Sequence, residues 1–276
     1  MRHAGLYLHL VPWYPEDGGT HRLFRGLHMS IQSENDLVKL LRIGRIVGLT
    51  LKAMQDALEP GMTTAQLDAI GAAFLKQHSA RSAPQITYQF PGATCISIND
   101  EAAHGIPGSR VIQPGDLVNI DVSAELDGFF ADTGATMPVP PTSDEQQRLC
   151  DFTQAALDRA LEAVTAGKPI NVIGKAVETE ARRGGYNIIR ELGGHGIGRK
   201  LHEEPRNVPN FFTKRASHPL TEGLVLTIEP FLTTGIGRVV TADDGWTLKT
   251  PNGALAAQYE HTVVITKGKP ILITAV

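Results

Sequence analysis

The chain has 276 residues, of which 42% are hydrophobic, and its net charge at pH 7 is -3. This length and composition allow a large buried core, while interleaved charges exclude the basic surface that nucleic acid or an anionic membrane would need. We therefore expect no direct nucleic-acid partner and no membrane partner. Cys95 and Cys150 form no C-x-x-C pair, which argues against a disulfide framework or a zinc ribbon and favours a cytoplasmic location.

Residues 1–28 show neither helical nor strand periodicity. Regular patterning begins at Met29, which we interpret as the natural start, and we expect the segment before it to be a poorly ordered extension. No linker rich in Pro, Gly or Ser divides the rest of the chain. Residues 29–276 are therefore predicted to form a single domain.

Capping residues and apolar periodicity predict two pairs of helices, which begin about 110 residues apart. A capping box that begins at Ser33 starts an amphipathic helix continuing to Glu59, and Thr63 caps a second helix. The same order returns with a cap at Ser143 and a shorter helix over 172–183. The chain thus consists of two similar halves.

Short β-branched runs follow each helix pair and are predicted as strands over 93–98, 117–123, 224–229 and 259–265. Helices and strands come in blocks and do not alternate regularly. This order favours an α+β fold, with mostly antiparallel strands covered by helices, over a doubly wound sheet.

Asp127-Gly128 between two of these runs predicts a two-residue hairpin turn. Counting outward from the turn places Asp132 opposite Ser123, which shares its sheet face with Asp121. Diagonal positions on neighbouring strands are about 7 to 8 Å apart. Two inward-pointing carboxylates can close that distance around a pair of cations.

Further polar residues stand where strands normally exclude them. Glu229 ends an apolar strand and Glu260 is predicted inside another. His195 lies among glycines that would let the backbone pass close to a ligand. Neither a dinucleotide loop nor an H-E-x-x-H zinc helix is present, because the spacings that follow Gly193 and His202 fail.

Two aspartates, two glutamates and one histidine form an oxygen-rich donor set that suits two divalent cations, Co, Mn, Fe or Zn. Two such cations, about 3.5 to 4 Å apart, can lower the pKa of a shared water toward neutrality and polarise the carbonyl that it attacks. The pattern therefore predicts metal-dependent hydrolysis.

Seven ordered segments carry a resemblance to a known family: 96–99 leading to 104–107, 119–122, 132–133, 194–198, 202–205, 227–230 and 258–262. They are similar to those of the type I methionine aminopeptidases, of the pita-bread (creatinase/aminopeptidase-like) fold. The resemblance covers about nine tenths of the chain. It implies two pseudo-symmetric halves, an antiparallel curved sheet covered by helices, and a single catalytic metallopeptidase domain over 29–276.

The resemblance also implies an activity and roles for particular residues. The activity is removal of the N-terminal methionine from nascent polypeptides, near the ribosome, by a monomer. Glu229 would be the general base, His202 would stabilise the oxyanion, and His104 would contact the scissile amide. The implied metal ligands are Asp121, Asp132, His195, Glu229 and Glu260.

The expected methionine pocket departs from the pattern of the bacterial enzymes. Phe90 replaces a frequent tyrosine, Ala103 a frequent cysteine and Leu201 a frequent phenylalanine. Cys95 and Trp246 remain at matching positions and can line an apolar slot that suits a thioether. We expect methionine specificity, with a relaxed side-chain preference as the alternative.

Two other readings stay open. A related Xaa-Pro aminopeptidase or dipeptidase shares the ligand set but usually carries a large extra N-terminal domain, for which about 90 residues before the first matching segment leave too little room. A non-catalytic binding module could keep the fold without the chemistry. A type II enzyme needs an insertion between His202 and Glu229, which are only 27 residues apart.

Overall fold

The computed structural model describes residues 31–276, so the expected extension over 1–28 and its boundary at Met29 lie outside the described residues. The helices are α1 (Glu34–Ala57), α2 (Thr64–Gln77), α3 (Ala83–Tyr88), α4 (Asp144–Ala163) and α5 (Asn171–Gly184). The strands are β1 (Arg81–Ser82), β2 (Cys95–Ile98), β3 (Glu101–Ala103), β4 (Leu117–Leu126), β5 (Phe129–Pro138), β6 (Asn187–Ile188), β7 (Gly193–Gly196), β8 (Glu203–Pro209), β9 (Val225–Ile228), β10 (Phe231–Thr233), β11 (Val240–Thr241), β12 (Leu248–Lys249), β13 (Ala256–Gln258), β14 (His261–Val264) and β15 (Ile271–Leu272).

The first helix pair begins at the predicted caps. Ser33 Oγ accepts a hydrogen bond from the Asp36 amide at 3.2 Å, but the Asp36 carboxylate accepts from the Gln32 amide and not from Ser33, so this capping box is incomplete. Helix α2 has the full box, with Thr63 and the helical glutamine bonded reciprocally. Helix α1 ends at Ala57, two residues before the predicted end, because Leu58 has an extended backbone.

The second helix pair repeats this arrangement. Ser143 forms a complete capping box at the start of α4, and α5 ends in a left-handed Gly185, the usual helix-terminating conformation. The Gln146 side chain also donates to the Gly115 carbonyl at 2.6 Å and so ties the start of α4 to the first half of the chain. The predicted repetition of helix pairs is therefore present in the structure.

All strand pairings between the described strands are antiparallel. The strands divide into four hydrogen-bonded sheets and do not form one continuous ladder. Their orders are β1-β4-β2 with β5 on β4, β13-β10-β6, β11-β12-β3, and β15-β14-β9-β7-β8. The predicted α+β class agrees with this architecture.

The β4–β5 hairpin has the predicted turn and register. Asp127 and Gly128 both have positive φ, at 53° and 81°, as a type I′ turn requires. Asp132 pairs with Ser123, and Asp121 pairs with Gly134. Both aspartates therefore lie on one face of the hairpin, as the count from the turn predicts.

The two halves are joined where β5 meets Glu260 and strand β14. The Asp132 amide donates to Thr262 Oγ1 at 2.9 Å, and the Glu260 amide donates to the Gly134 carbonyl at 2.8 Å. Each half has its own apolar core beneath its helix pair, and Tyr259 packs against both cores. The junction of the halves is thus also the place where the predicted metal ligands converge.

Candidate metal centre

Three of the predicted ligands converge at this junction. Ligand atoms of Asp132, His195 and Glu260 all lie within 4.8 Å of one another, and all three residues are buried. His195 Nε2 lies 3.9 Å from Asp132 Oδ2 and 3.7 Å from Glu229 Oε1. The sequence-predicted cluster is therefore a physical one in the folded chain.

His195 is oriented by bonds to its own strand and to β9. Its Nδ1–H donates to the Gly196 carbonyl at 3.0 Å, because a carbonyl oxygen can only accept. This bond leaves Nε2 as the atom with a free lone pair, directed toward the carboxylates. The His195 amide donates to Thr227 Oγ1 at 3.0 Å, and that hydroxyl in turn donates to Glu229 Oε1 at 3.1 Å.

The glycines around His195 allow close packing of the strands. A Cβ at Gly194 would lie 2.2 Å from the Thr227 carbonyl oxygen, and one at Gly196 would lie 2.4 Å from the Glu204 carbonyl oxygen. These glycines let β7 approach the backbones of β9 and β8. The histidine between them is thereby held at a fixed depth.

Glu260 also differs in position from the prediction. It lies in the break between β13 and β14 and not inside a strand. Its Oε2 accepts from Gln258 Nε2 at 3.0 Å, while its Oε1 and Asp132 Oδ1 are buried without any hydrogen-bond partner. Glu260 thus reaches the ligand cluster from a break in the ladder and not from within a strand.

The electrostatics of the cluster call for a cation. Burial raises the pKa of Asp132, Glu229 and Glu260 well above the usual values, and the neighbouring carboxylates raise each pKa further. Burial also raises the pKa of Asp121 to about 6. No Lys or Arg is among the described residues that line the surrounding cavity. Divalent cations fit this set, because they would neutralise the carboxylates and coordinate the two unpartnered oxygens.

The cavity has a volume of about 260 Å³ and brings together all the predicted site residues. The lining includes the five predicted metal ligands together with Phe90, Cys95, His104, Leu201, His202 and Trp246. The rings of Phe90 and Trp246 meet edge to face, with centroids 5.2 Å apart. Burial, with Asp121 nearby, raises the pKa of the Cys95 thiol well above its usual value. Cys95 therefore lines the slot as an uncharged thiol.

The two candidate catalytic histidines lie beside the metal ligands. The His202 ring lies 4.0 Å from the His195 ring, between centroids, and burial lowers the pKa of His202 to about 2. Burial likewise lowers the pKa of His104, which has a left-handed backbone with φ of 56°. Such strain in a non-glycine residue is typical of functional sites. Both imidazoles are neutral and can donate or accept one hydrogen bond at each nitrogen as their tautomer dictates.

Some residues of the site escape sequence reasoning. Tyr88 and Phe231 line the cavity, and the Tyr88 hydroxyl lies 2.6 Å from His202 Nδ1. Thr227 and Gln258 orient metal ligands without reaching the cavity wall. The signal for Thr227 and Gln258 was their place two residues before a buried glutamate, whereas Tyr88 meets a partner 114 residues away and has no local signal.

Comparison with known proteins identifies the family. A model of metallopeptidase family M24 matches residues 39–267. The chain belongs to this family. It is 46% identical over 247 residues to methionine aminopeptidase 2 of Bacillus subtilis, a match that covers 89% of this chain and 99% of that protein. The M24 chain is thus a metal-dependent hydrolase, and the resemblance to methionine aminopeptidases is confirmed.

Solved structures agree with this assignment. A methionine aminopeptidase from Thermotoga maritima matches this M24 metallopeptidase with a TM-score of 0.86 and 30% identity, covering 89% of this chain and 99% of that one. Prolidase from Pyrococcus furiosus matches with a TM-score of 0.72 and covers 90% of this chain but 66% of its own, at 21% identity, which shows the fold alone. The pita-bread fold is confirmed. Within residues 31–276, no helix is long and apolar enough to cross a membrane.

Proposed function

We propose that this M24 metallopeptidase removes the N-terminal methionine from polypeptides. One observation carries the proposal: the cluster of metal-ligand side chains opens directly into a small cavity whose other wall is the apolar slot of Phe90, Cys95 and Trp246. A thioether side chain fits such a slot, because sulfur makes favourable contacts with aromatic edges. The names of the relatives support the same substrate.

The five ligands would hold two divalent cations, Mn, Fe, Co or Zn. Asp121, Asp132, His195, Glu229 and Glu260 would hold the ions, and the buried oxygens of Asp132 and Glu260 that lack a hydrogen-bond partner would be satisfied by them. When bound, the cations polarise the scissile carbonyl and make an attacking water acidic near neutral pH. The choice among these metals is left to cellular supply, because this donor set accepts several of them.

The protein groups divide the remaining chemistry. A Glu229 carboxylate oxygen takes the proton of the attacking water, and Thr227 Oγ1 fixes that side chain at Oε1. His202 donates a hydrogen bond to the carbonyl oxygen as negative charge develops there. His104, held in its left-handed conformation, contacts the scissile amide and assists the leaving amine.

The cavity beside the metal ligands is small, with a volume of about 260 Å³, which is compatible with binding of a single N-terminal side chain. From the family resemblance we further propose that the substrates are N-termini of nascent polypeptides, met in the cytoplasm near the ribosome by a monomeric enzyme.

The test is methionine release from Met-Ala-Ser by metal-stripped protein, with and without added Mn or Co, beside an Asp132→Asn variant. Release that returns with metal and is absent from the variant is the expected result. No release from this peptide, with release from an Xaa-Pro substrate, would move the assignment to the proline-specific peptidases. Cleavage of neither substrate would favour a non-catalytic binding module.

A further inference from the structure

Tyr88 contacts the candidate oxyanion donor at Nδ1 of the imidazole and lines the same cavity. Its hydroxyl lies 2.6 Å from His202 Nδ1, and the two rings lie 5.6 Å apart between centroids. Tyr88 is the last residue of α3, and the turn that follows it is fixed by left-handed Gln89, whose amide donates to the Gln85 carbonyl at 3.0 Å. The hydroxyl is thus held at a defined position beside the imidazole.

The contact has a consequence at the other ring nitrogen. A neutral imidazole carries one proton, so one nitrogen donates and the other accepts. If the Tyr88 hydroxyl donates to Nδ1, the proton of His202 resides on Nε2. Only this tautomer can donate a hydrogen bond from Nε2 into the cavity, toward a developing oxyanion.

We propose that Tyr88 is a positioning residue that donates to His202 Nδ1 and thereby fixes the Nε2–H tautomer required for the oxyanion contact. The proposal rests on the proposed peptidase function, since the oxyanion arises only in that reaction. Among the described residues, this hydroxyl forms a hydrogen bond with His202 Nδ1. In the reverse arrangement, the His202 proton would reside on Nδ1 and be donated in a hydrogen bond to the Tyr88 oxygen. The lone pair on Nε2 would then repel an oxyanion.

The size of the effect follows from related chemistry. Removing one oxyanion donor lowers kcat about 10²- to 10³-fold, and removing the group that holds a catalytic histidine tautomer in a serine protease lowers kcat about 10⁴-fold. Tyr88→Phe keeps the ring and removes only the hydroxyl. We expect kcat to fall at least about tenfold, with KM changed less than about twofold, because the contact matters most when charge develops.

The first measurement is the tautomer itself, read by ¹⁵N NMR of the histidine rings in metal-stripped protein without substrate. A His202→Gln variant assigns the His202 signals. The wild type is expected to carry the proton on Nε2, and Tyr88→Phe is expected to show a mixture of tautomers. A wild-type His202 protonated on Nδ1, or a tautomer unchanged in Tyr88→Phe, would overturn the proposal.

The second measurement is steady-state kinetics on Met-Ala-Ser with metal restored. Tyr186→Phe is the matched control, because that tyrosine packs on Phe152 away from the cavity and should leave kcat unchanged. A tautomer change without loss of kcat in Tyr88→Phe would overturn the positioning role. If the wild type releases no methionine, the proposed function fails, while the NMR result still decides the tautomer.

Discussion

At the scale of single residues, the metal centre is a set of carboxylates held apart by uncharged donors. Thr227 bonds Glu229, and Gln258 bonds Glu260, each through a neutral hydroxyl or amide. Neutral donors orient a carboxylate without neutralising it, so its charge remains available to a cation. The protein therefore leaves neutralisation of the cluster to the metal, and this makes the metal-free form the less stable one.

Asp132→Asn tests that conclusion in metal-stripped protein. The variant should unfold at a higher temperature than the wild type, because it removes one of several buried like charges whose Oδ1 has no hydrogen-bond partner. A gain of about 1 kcal/mol corresponds to a Tm increase of about 2 to 4 °C for a chain of this size. Thermal unfolding after exhaustive chelation measures it, and an equal or lower Tm would contradict the prediction.

The raised pKa of Asp132 also predicts that the stability of the metal-free protein depends on pH. Because the pKa of Asp132 is raised in the folded state, the unfolded chain ionises first, and stability falls as pH rises above the usual carboxyl pKa of about 4. The stripped wild type should therefore lose more stability than Asp132→Asn between about pH 5 and about pH 7.5. Parallel curves for the two proteins would exclude this contribution.

Trp246 forms part of the apolar slot proposed for the methionine side chain. Trp246→Ala removes the edge-to-face contact with Phe90 and opens the apolar slot. Losing about 1.4 kcal/mol of side-chain contact would raise KM for Met-Ala-Ser about tenfold, and the rates on Met-, Leu- and Ala-initiated tripeptides should converge. Phe212→Ala, at an exposed aromatic residue, is the control and should change neither value. Equal rates on the three peptides in the wild type would rule out methionine specificity.

At the scale of elements, β7 lies so close to β9 and β8 that Gly194 and Gly196 have no room for a Cβ. Gly194→Ala places a methyl group against the Thr227 carbonyl, and overpacking of this kind costs about 1–3 kcal/mol. We expect both a lower free energy of unfolding and weaker metal binding, because His195 moves with the strand. Urea unfolding and metal titration measure these effects. Gly108→Ala, where a Cβ meets no atom closer than 4.0 Å, should match the wild type.

Some of the helices and strands could be predicted from the sequence alone, and others could not. The β4–β5 register was predictable because Asp127-Gly128 fixes the turn and every pair follows by counting. The long capped helices were also predictable, because their capping residues and apolar periodicity lie within each segment. Helix α3 was not predicted, because its six residues span too few turns to show a periodicity. The position of Tyr88, the last residue of this helix, was therefore not predicted either.

Other parts of the site depend on contacts between distant segments. The break at Glu260 follows from its amide bonding the Gly134 carbonyl, a pairing set by the assembly of the two halves and not by the local run of β-branched residues. The role of the glycines beside His195 likewise depends on which strands become neighbours. The hairpin count alone brings Asp121 and Asp132 together, whereas the convergence of all five ligands on one site was implied by the motif resemblance, since no local pattern joins residues 121 and 260.

At the scale of the whole molecule, the two halves share one hydrogen-bond network through Gln258. Its carbonyl accepts from Thr136 Oγ1 at 2.9 Å, and its Oε1 accepts from Asn119 Nδ2 at 2.7 Å. All of these groups are buried. The halves are therefore coupled beside the metal ligands, and loss of one half removes the partners of the other.

Chelation should shift the unfolding of both halves together. We expect a single calorimetric transition that moves to a lower temperature in metal-stripped protein and returns when two equivalents of Mn or Co are added, because ions that bind only the folded state stabilise it. Calorimetry with metal analysis by mass spectrometry measures shift and stoichiometry. Two separated transitions would contradict the coupling, and saturation at one ion per chain would contradict the dinuclear proposal.

The distribution of ligands between the halves also orders events during biosynthesis. The bond between Asp132 and Thr262 spans 130 residues, so a ribosome displays the β4–β5 hairpin long before it has polymerised the partner segment. Until then the two aspartates stay hydrated and capture no cation tightly. We therefore expect metal acquisition to be a late step in maturation, after the second half of the chain has been synthesised.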